Sequence, residues 1–331
     1  MTLDTPSGED SLIARYFKPL ATDPGAFGLM DDAAVIKADG HDLVVNTDAI
    51  VEGVHYLPDD PPDTIARKAL RVNLSDLAAK GAEPAGFVLT LALRHSDESW
   101  LSAFARGLGE DARTFGCPLL GGDTVSTPGP VMISITAWGR VPLGRMVHRF
   151  GARPGDRVMV TGTIGDASLG LAVLQGKPAA AALAADLGAR EMLVGRYQVP
   201  QPRNALAKAV RDFATASMDV SDGLAGDLAK LCAASRVTAD VNLPKIPISA
   251  AAATLLAVGA ADLEAMISGG DDFEILCTVP ADRCEAFGTE ARRAGVAMAE
   301  IGVITAGDGH PRFLNAEGQA IPLKRLSFSH F

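Results

Sequence analysis

Apolar positions along the 331-residue chain recur with two distinct periods. Short runs rich in β-branched and aliphatic residues at 43–46, 87–93, 131–141, 157–161, 215–220, 237–243 and 275–279 predict strands. Between them, the stretches 62–79, 97–115, 166–175, 202–213, 224–234 and 282–294 carry apolar residues at helical spacing. The uncharged, Ala-rich run 246–261 reads as buried helix, because it is too short and too weakly apolar to cross a bilayer. Strands alternating with helices make this a mixed α/β chain. Two Pro and three Gly interrupt the pattern over 142–156, which places a boundary near residue 150 and divides the chain into 1–150 and 151–331.

Composition narrows the function classes. Apolar types at 48% and charged types at 21% describe an ordinary globular protein, and the length suits about two domains. Thirty Lys and Arg against 40 Asp and Glu leave a net charge of −10, which repels a phosphate backbone and excludes nucleic acid as the expected partner. The first ten residues hold three acids and no base, the wrong pattern for an export signal. Cys117, Cys232, Cys277 and Cys284 form no C-x-x-C pair, so a cytoplasmic setting without disulfides or structural zinc is expected.

Common nucleotide signatures are absent. Gly176-Lys177 has no Gly five residues earlier, and Gly107-Leu-Gly109 lies within a helical run rather than after a strand. What recurs is an aspartate among small residues: Asp31-Asp32, Asn46-Thr-Asp48, Leu74-Ser-Asp76, Gly121-Gly-Asp123, Asp219-Val-Ser-Asp222 and Gly269-Gly-Asp-Asp272. Each alone reads equally well as a helix cap or a turn. Gathered at strand-to-helix junctions, they would repel one another by about 4 kcal/mol per pair ~4 Å apart at an effective dielectric of ~20, and so would need cations. Hard oxygen donors without His or Cys suit magnesium or manganese, and magnesium at an acidic site most often carries a nucleotide phosphate.

The order of these motifs resembles the thiamine-monophosphate kinase family almost end to end. The resemblance is carried by Ser11-Leu-Ile-Ala-Arg-Tyr-Phe17, Asn46-Thr-Asp-Ala-Ile-Val-Glu-Gly-Val-His55, Val72-Asn-Leu-Ser-Asp-Leu-Ala-Ala-Lys-Gly81 and Leu120-Gly-Gly-Asp-Thr124. It continues through Gly151-Ala-Arg-Pro-Gly-Asp156, Asp219-Val-Ser-Asp-Gly-Leu224, Ser268-Gly-Gly-Asp-Asp-Phe-Glu274 and the terminal Ser329-His-Phe331. It implies a two-domain α/β fold of the aminoimidazole ribonucleotide synthetase type, ATP bound without a P-loop, a required magnesium and a homodimer. The implied reaction moves the γ-phosphoryl of ATP onto thiamine monophosphate.

Residue by residue, the resemblance implies metal ligation by Asp32, Thr47, Asp48, Asp76, Asp123, Asp219 and Asp222, with Asp76, Asp123 and Asp222 central to catalysis. It implies ATP contacts from Gly122, Asp123, Arg149 and Ser221, and substrate contacts from His55, Asp271 and Phe328. The chain departs from the family pattern in four places. Met30 replaces a Gly, and Asn46 replaces a Ser or Thr. Asp271 is one methylene shorter than the usual Glu, and Phe328 stands for a Trp or Tyr. Within the same fold, a purine-pathway synthetase and a catalytically silent nucleotide-binding protein remain alternatives. Selenophosphate synthetase is disfavoured, because its reactive Cys lies near the N-terminus and no Cys precedes Cys117.

Overall fold

The computed structural model describes residues 27–28, 30–31, 34–38, 40–95 and 97–327. Asp32 and Phe328 therefore lie outside the described residues, as do the motifs at 11–17 and 329–331.

The first sheet contains β1 (Ala34–Ala38), β2 (His41–Val51), β3 (Glu83–Leu93), β4 (Leu119–Ser126) and β5 (Met132–Pro142), in the order β1-β2-β5-β3-β4. All its pairings are antiparallel except β3 with β4. Helices α1 (Pro62–Ala79) and α2 (Glu98–Thr114) enclose a core with one face of this sheet, where Val44, Ile50, Phe87, Ile133 and Ile135 are buried. The opposite face exposes Thr47, Ala49 and Val88. Helix α1 opens with Pro62, whose fixed φ suits the first turn, and gives way at Gly81, which has φ +71°. Asp97 caps α2 by accepting from the amides of Ser99 and Trp100.

The second sheet has seven strands: β6 (Arg157–Thr161), β7 (Ala216–Asp219), β8 (Thr238–Asn242), β9 (Ile275–Val279), β10 (Met298–Thr305), β11 (Arg312–Leu314) and β12 (Ala320–Ile321). Their order is β12-β11-β8-β10-β6-β9-β7. Around it lie α3 (Asp166–Leu174), α4 (Pro178–Ala182), α5 (Leu187–Gln198), α6 (Ala207–Phe213), α7 (Leu224–Ser235), α8 (Ala250–Ala257), α9 (Leu263–Ile267) and α10 (Cys284–Arg293). Buried Val158, Val160, Met218, Leu228, Leu276 and Ile301 form the main core of this half.

Helix α1 belongs to both halves. Besides β2 and β5 it touches β7, β9 and α6. Thirteen of its eighteen residues are buried, including the polar Lys68, Arg71, Asn73 and Ser75. Three of those polar side chains reach across to the second half: Lys68 donates to Asp271, Arg71 to the Pro200 carbonyl and Ser75 to that of Phe273, while Asn73 is satisfied within the first half by Ala69 and Asn46. Any buried polar group left without such a partner would carry its full desolvation cost.

Two sequence expectations change. Gly121-Gly-Asp123, read as a turn, lies inside β4, a strand exposed along its whole length and therefore without a buried alternation to mark it. The run 246–261 is helical only over α8, because Pro247 and Gly259 bound it.

Candidate active site

Four of the expected carboxylates come together where the two halves meet. Asp48 lies mid-strand in β2 and Asp76 in the last turn of α1. Asp219 ends β7, and Asp222 sits in the loop leading to α7. Asp219 and Asp222 stand at the strand-to-helix junction between β7 and α7, whereas Asp48 and Asp76 do not, so the expectation that all the acids gather at such junctions is corrected for these two. A strand centre and a helix C-terminus from one half meet a loop from the other.

The cluster is electrostatically costly. Burial, then repulsion from Asp219 and Asp48, pushes the Asp76 carboxyl well above the usual range. Burial raises Asp48 as well, with Asp222 adding to the effect, while a hydrogen bond shared with Asp76 opposes it. Asp219 is pushed up to about 7, chiefly by burial and then by Asp227 and Asp48, against a hydrogen bond from Ser75. Asn46 donates to Asp76 Oδ2 at 2.9 Å, while its own Oδ1 is buried without a hydrogen-bond partner among the described residues.

Sequence reasoning missed the residues that brace these acids. Asp227 is fully buried, and its Oδ2 accepts from the amides of both Ser221 and Asp222 at 3.0 Å. Ser221, expected to contact ATP, is thus itself held by Asp227. Lys230 pairs with Asp222 and Asp227. Lys80, fully buried, joins Asp31 Oδ1 at 2.6 Å and the Ser217 carbonyl at 3.0 Å. Burial alone would raise Asp31, but Lys80, together with His148 and the Arg149 amide, holds its carboxyl below the usual range. Asp31 thereby ties the linker at Arg149, whose amide donates to Asp31 Oδ2 at 3.0 Å, to the end of α1. Buried lysines leave no periodic signature, although the four-residue spacing of Lys68, Val72, Asp76 and Lys80 along α1 was visible.

Asp123 is not brought to this cluster within one chain. Strand register aligns Asp48 with Ile135, Leu89 and Gly122, so Asp123, the next residue, faces the other side of the sheet, three strand spacings or ~14 Å away. Thr47 shares that exposed side and hydrogen-bonds Thr136 at 3.0 Å. Gly122 has a packing reason of its own, since a Cβ there would lie 2.0 Å from the Leu89 carbonyl oxygen.

Beside the acids opens a cavity of about 420 Å³, walled by Val54 and His55 from the first half and by Tyr197, Ser221, Asp222 and Asp271 from the second. His55 Nδ1 accepts from the Val51 amide at 3.0 Å, which closes its turn. Asp271 adopts φ +73°, held by its amide's bond to the Ser221 carbonyl. Its neighbours Asp272 and Glu274 are structural. Asp272 accepts from the Gly165 and Ala167 amides at the start of α3. Glu274 binds Arg196, Arg203 and Thr161.

As a metal site, the donor set is chemically apt. Its oxygens are hard, mutually repelling and flanked by the open amide oxygen of Asn46. Among the described residues, no three His, Cys, Asp or Glu side chains stand close enough together to hold a metal ion by themselves. An open set of carboxylates fits magnesium, which commonly takes one or two protein carboxylates and completes its shell with water and substrate phosphates.

Two sheets meeting at an acid-lined cleft define a two-domain protein of the AIR synthase type. Residues 30–141 match the AIR synthase related protein N-terminal domain, and 153–314 match the C-terminal domain. Thiamine-monophosphate kinase of Caulobacter vibrioides is 44% identical over 331 residues, covering 98% of this chain and 91% of that protein. The solved thiamine-monophosphate kinase of Stenotrophomonas maltophilia is 37% identical with a TM-score of 0.77, covering 95% and 98% of the two chains. The structure of AaThiL complexed with AMPPCP and TMP has a TM-score of 0.78 at 29% identity, covering 93% and 97%. The chain belongs to the thiamine-monophosphate kinase family.

Proposed function

We propose that this protein transfers the γ-phosphoryl group of ATP to thiamine monophosphate, giving thiamine diphosphate and ADP by direct in-line displacement. The observation that carries the reading is the convergence of Asp48, Asp76, Asp219 and Asp222 beside a substrate-sized cavity. The full-length similarity to thiamine-monophosphate kinases, one of them solved with a nucleotide analogue and TMP, supports it.

The acceptor is a phosphate whose second pKa near 6 leaves it largely ionised at neutral pH, so no general base is needed. The difficulty is bringing two anions into line, which makes positioning and charge compensation the main tasks. Asp48, Asp76, Asp219 and Asp222 would hold magnesium; Thr47 and Asp123, which face the other side of the sheet within one chain, would join them with Asp32 only in an assembly that brings that side to a partner's cluster. When bound, that ion supplies the positive charge that offsets the transferred phosphoryl group. Ser221, Gly122 and Asp123 contact ATP, and Arg149 offers a guanidinium fork to its phosphates. His55, Asp271 and Phe328 receive thiamine monophosphate. Asp227 and Lys80 keep the two arms of the cluster in place from behind.

The protein divides near residue 150, a reading supported by the separate sheets on either side of 143–156. It works as a homodimer in the cytoplasm. The exposed β4, with Leu119, Leu120 and Val125 at 49%, 62% and 44% exposure, supports the dimer, and four unpaired cysteines suit a reducing compartment.

ATP, magnesium and thiamine monophosphate incubated with purified protein should yield ADP and thiamine diphosphate in equal amounts. No turnover, or turnover only with a purine precursor, would overturn the assignment.

A further inference from the structure

Lys68 stands behind the cavity wall, against the lining residues His55, Tyr197 and Asp271, in a place that neither the resemblance nor the proposed mechanism assigns. It lies in the middle of α1 and is 1% exposed. Its ammonium donates to the His55 carbonyl at 2.7 Å and to Asp271 Oδ2 at 2.9 Å, and it stands 3.8 Å from the centre of the Tyr197 ring. The Tyr197 hydroxyl donates to the same His55 carbonyl at 3.2 Å. Two of these partners, Asp271 and Tyr197, belong to the second half of the chain. His55 and Lys68 itself belong to the first.

An ammonium has three donor directions, and here each meets a partner. Removing it from water is costly unless it is paired in this way, so the arrangement specifies one geometry for the groups around it. Asp271 is the group that most needs specifying. It is a non-Gly residue in left-handed backbone, on a side chain short enough to leave its carboxylate position dependent on what grips it. With Oδ2 engaged by Lys68, no donor among the described residues reaches its other oxygen, and Asp271 lines the cavity.

We infer that Lys68 is a positioning residue for the substrate pocket. It latches the loop at His55 to the loop at Asp271 across the two halves and converts Asp271 from a free counter-charge into an aimed hydrogen-bond acceptor. The pocket then recognises an N–H donor on the ligand's ring system rather than its net positive charge. The inference rests on the proposed thiamine monophosphate kinase activity and adds to it how the acidic contact works.

The test compares wild type with Lys68→Met, Lys68→Arg, Asp271→Asn and the double variant Lys68→Met with Asp271→Asn. Lys68→Met should raise KM for thiamine monophosphate about tenfold or more while KM for ATP stays within about twofold. Lys68→Arg should recover part of the loss. The double variant should be no worse than about twofold beyond the weaker single, because both changes break one linkage. Circular dichroism and melting temperature report folding. Should Lys68→Met not fold, Lys68→Gln and Lys68→Arg carry the same comparison. Folded variants with wild-type KM for thiamine monophosphate, equal KM rises for both substrates, or multiplicative losses in the double variant would each overturn the latch. Wild-type turnover of thiamine monophosphate in the same assay keeps the underlying activity separate: its loss defeats the function, whereas its survival alongside unselective variants defeats only the role of Lys68.

Discussion

At the scale of residues, acids that read ambiguously one at a time are explained by what surrounds them. Asp48, Asp76, Asp219 and Asp222 were legible as a set because they recur among small residues, whereas Asp227, Lys230, Lys68 and Lys80 were not, since a buried charge matters only through partners distant in sequence. Their energetics have a pH signature. Asp219 has a folded-state pKa of about 7, above its ordinary 3.8, so the folded protein binds a proton that the unfolded chain releases. Stability from this group is complete below pH ~4 and is lost as pH rises through about 7. Asp31 shifts the opposite way, but its contribution is already constant above pH 5. Metal-free protein should therefore melt at a lower temperature at pH 8 than at pH 5, and magnesium should raise the midpoint more at pH 8. Asp76→Asn removes one of the repelling charges. It should melt at or above wild type at pH 8 without metal, yet lose phosphoryl transfer by about a hundredfold or more. Scanning calorimetry at the two pH values with parallel assays decides the matter, and a variant that melts lower at pH 8 while keeping its activity would contradict both statements.

At the scale of elements, α1 carries most of the design. Its limits were legible to the residue, because Pro62 starts it and an unbroken apolar pattern sustains it as far as Gly81. Strands β6 and β9 were equally clear, each a short buried apolar run. β4 was not, for it is exposed along its whole length and shows no buried alternation, and neither were β11 and β12, whose three and two residues are too few to show a period. The sequence also gave no sign that α1 serves both cores. That dual role rests on its C-terminal end, where Lys80 and Asp31 are both fully buried. Breaking such a pair from one side leaves an uncompensated charge at a cost of about 3–5 kcal/mol. Lys80→Met should accordingly lower the melting temperature by several degrees, and adding Asp31→Asn should restore much of it, because the stranded carboxylate is then neutral. Melting curves of the single and double variants test this; an unchanged midpoint in Lys80→Met would show that the strut bears no load.

At the scale of the whole molecule, the first sheet poses a problem that one chain does not solve. One face is covered by α1 and α2, while the other, together with the β4 edge, exposes Leu120, Val88 and Val125 beside Thr47 and Asp123. Unpaired strand edges with apolar side chains are sites for another chain, and a second copy pairing through a two-fold axis is the commonest solution. The same geometry bears on catalysis. Asp123 points away from Asp48 across three strands, so its carboxylate serves the cluster only if β4 of one protomer approaches the site of its partner. Leu120→Glu should therefore yield a folded monomer by light scattering, with activity lost. Mixing offers a sharper measurement. Asp76→Asn and Asp123→Asn should each be nearly inactive alone. If Asp123 acts across the interface, a mixed dimer holds one intact site, made of Asp76 from one protomer and Asp123 from the other. Random reassociation makes about half of the dimers mixed, each with one of its two sites intact, so the mixture should regain about a quarter of wild-type activity. No regain from demonstrably mixed dimers would mean that Asp123 does not act across the interface.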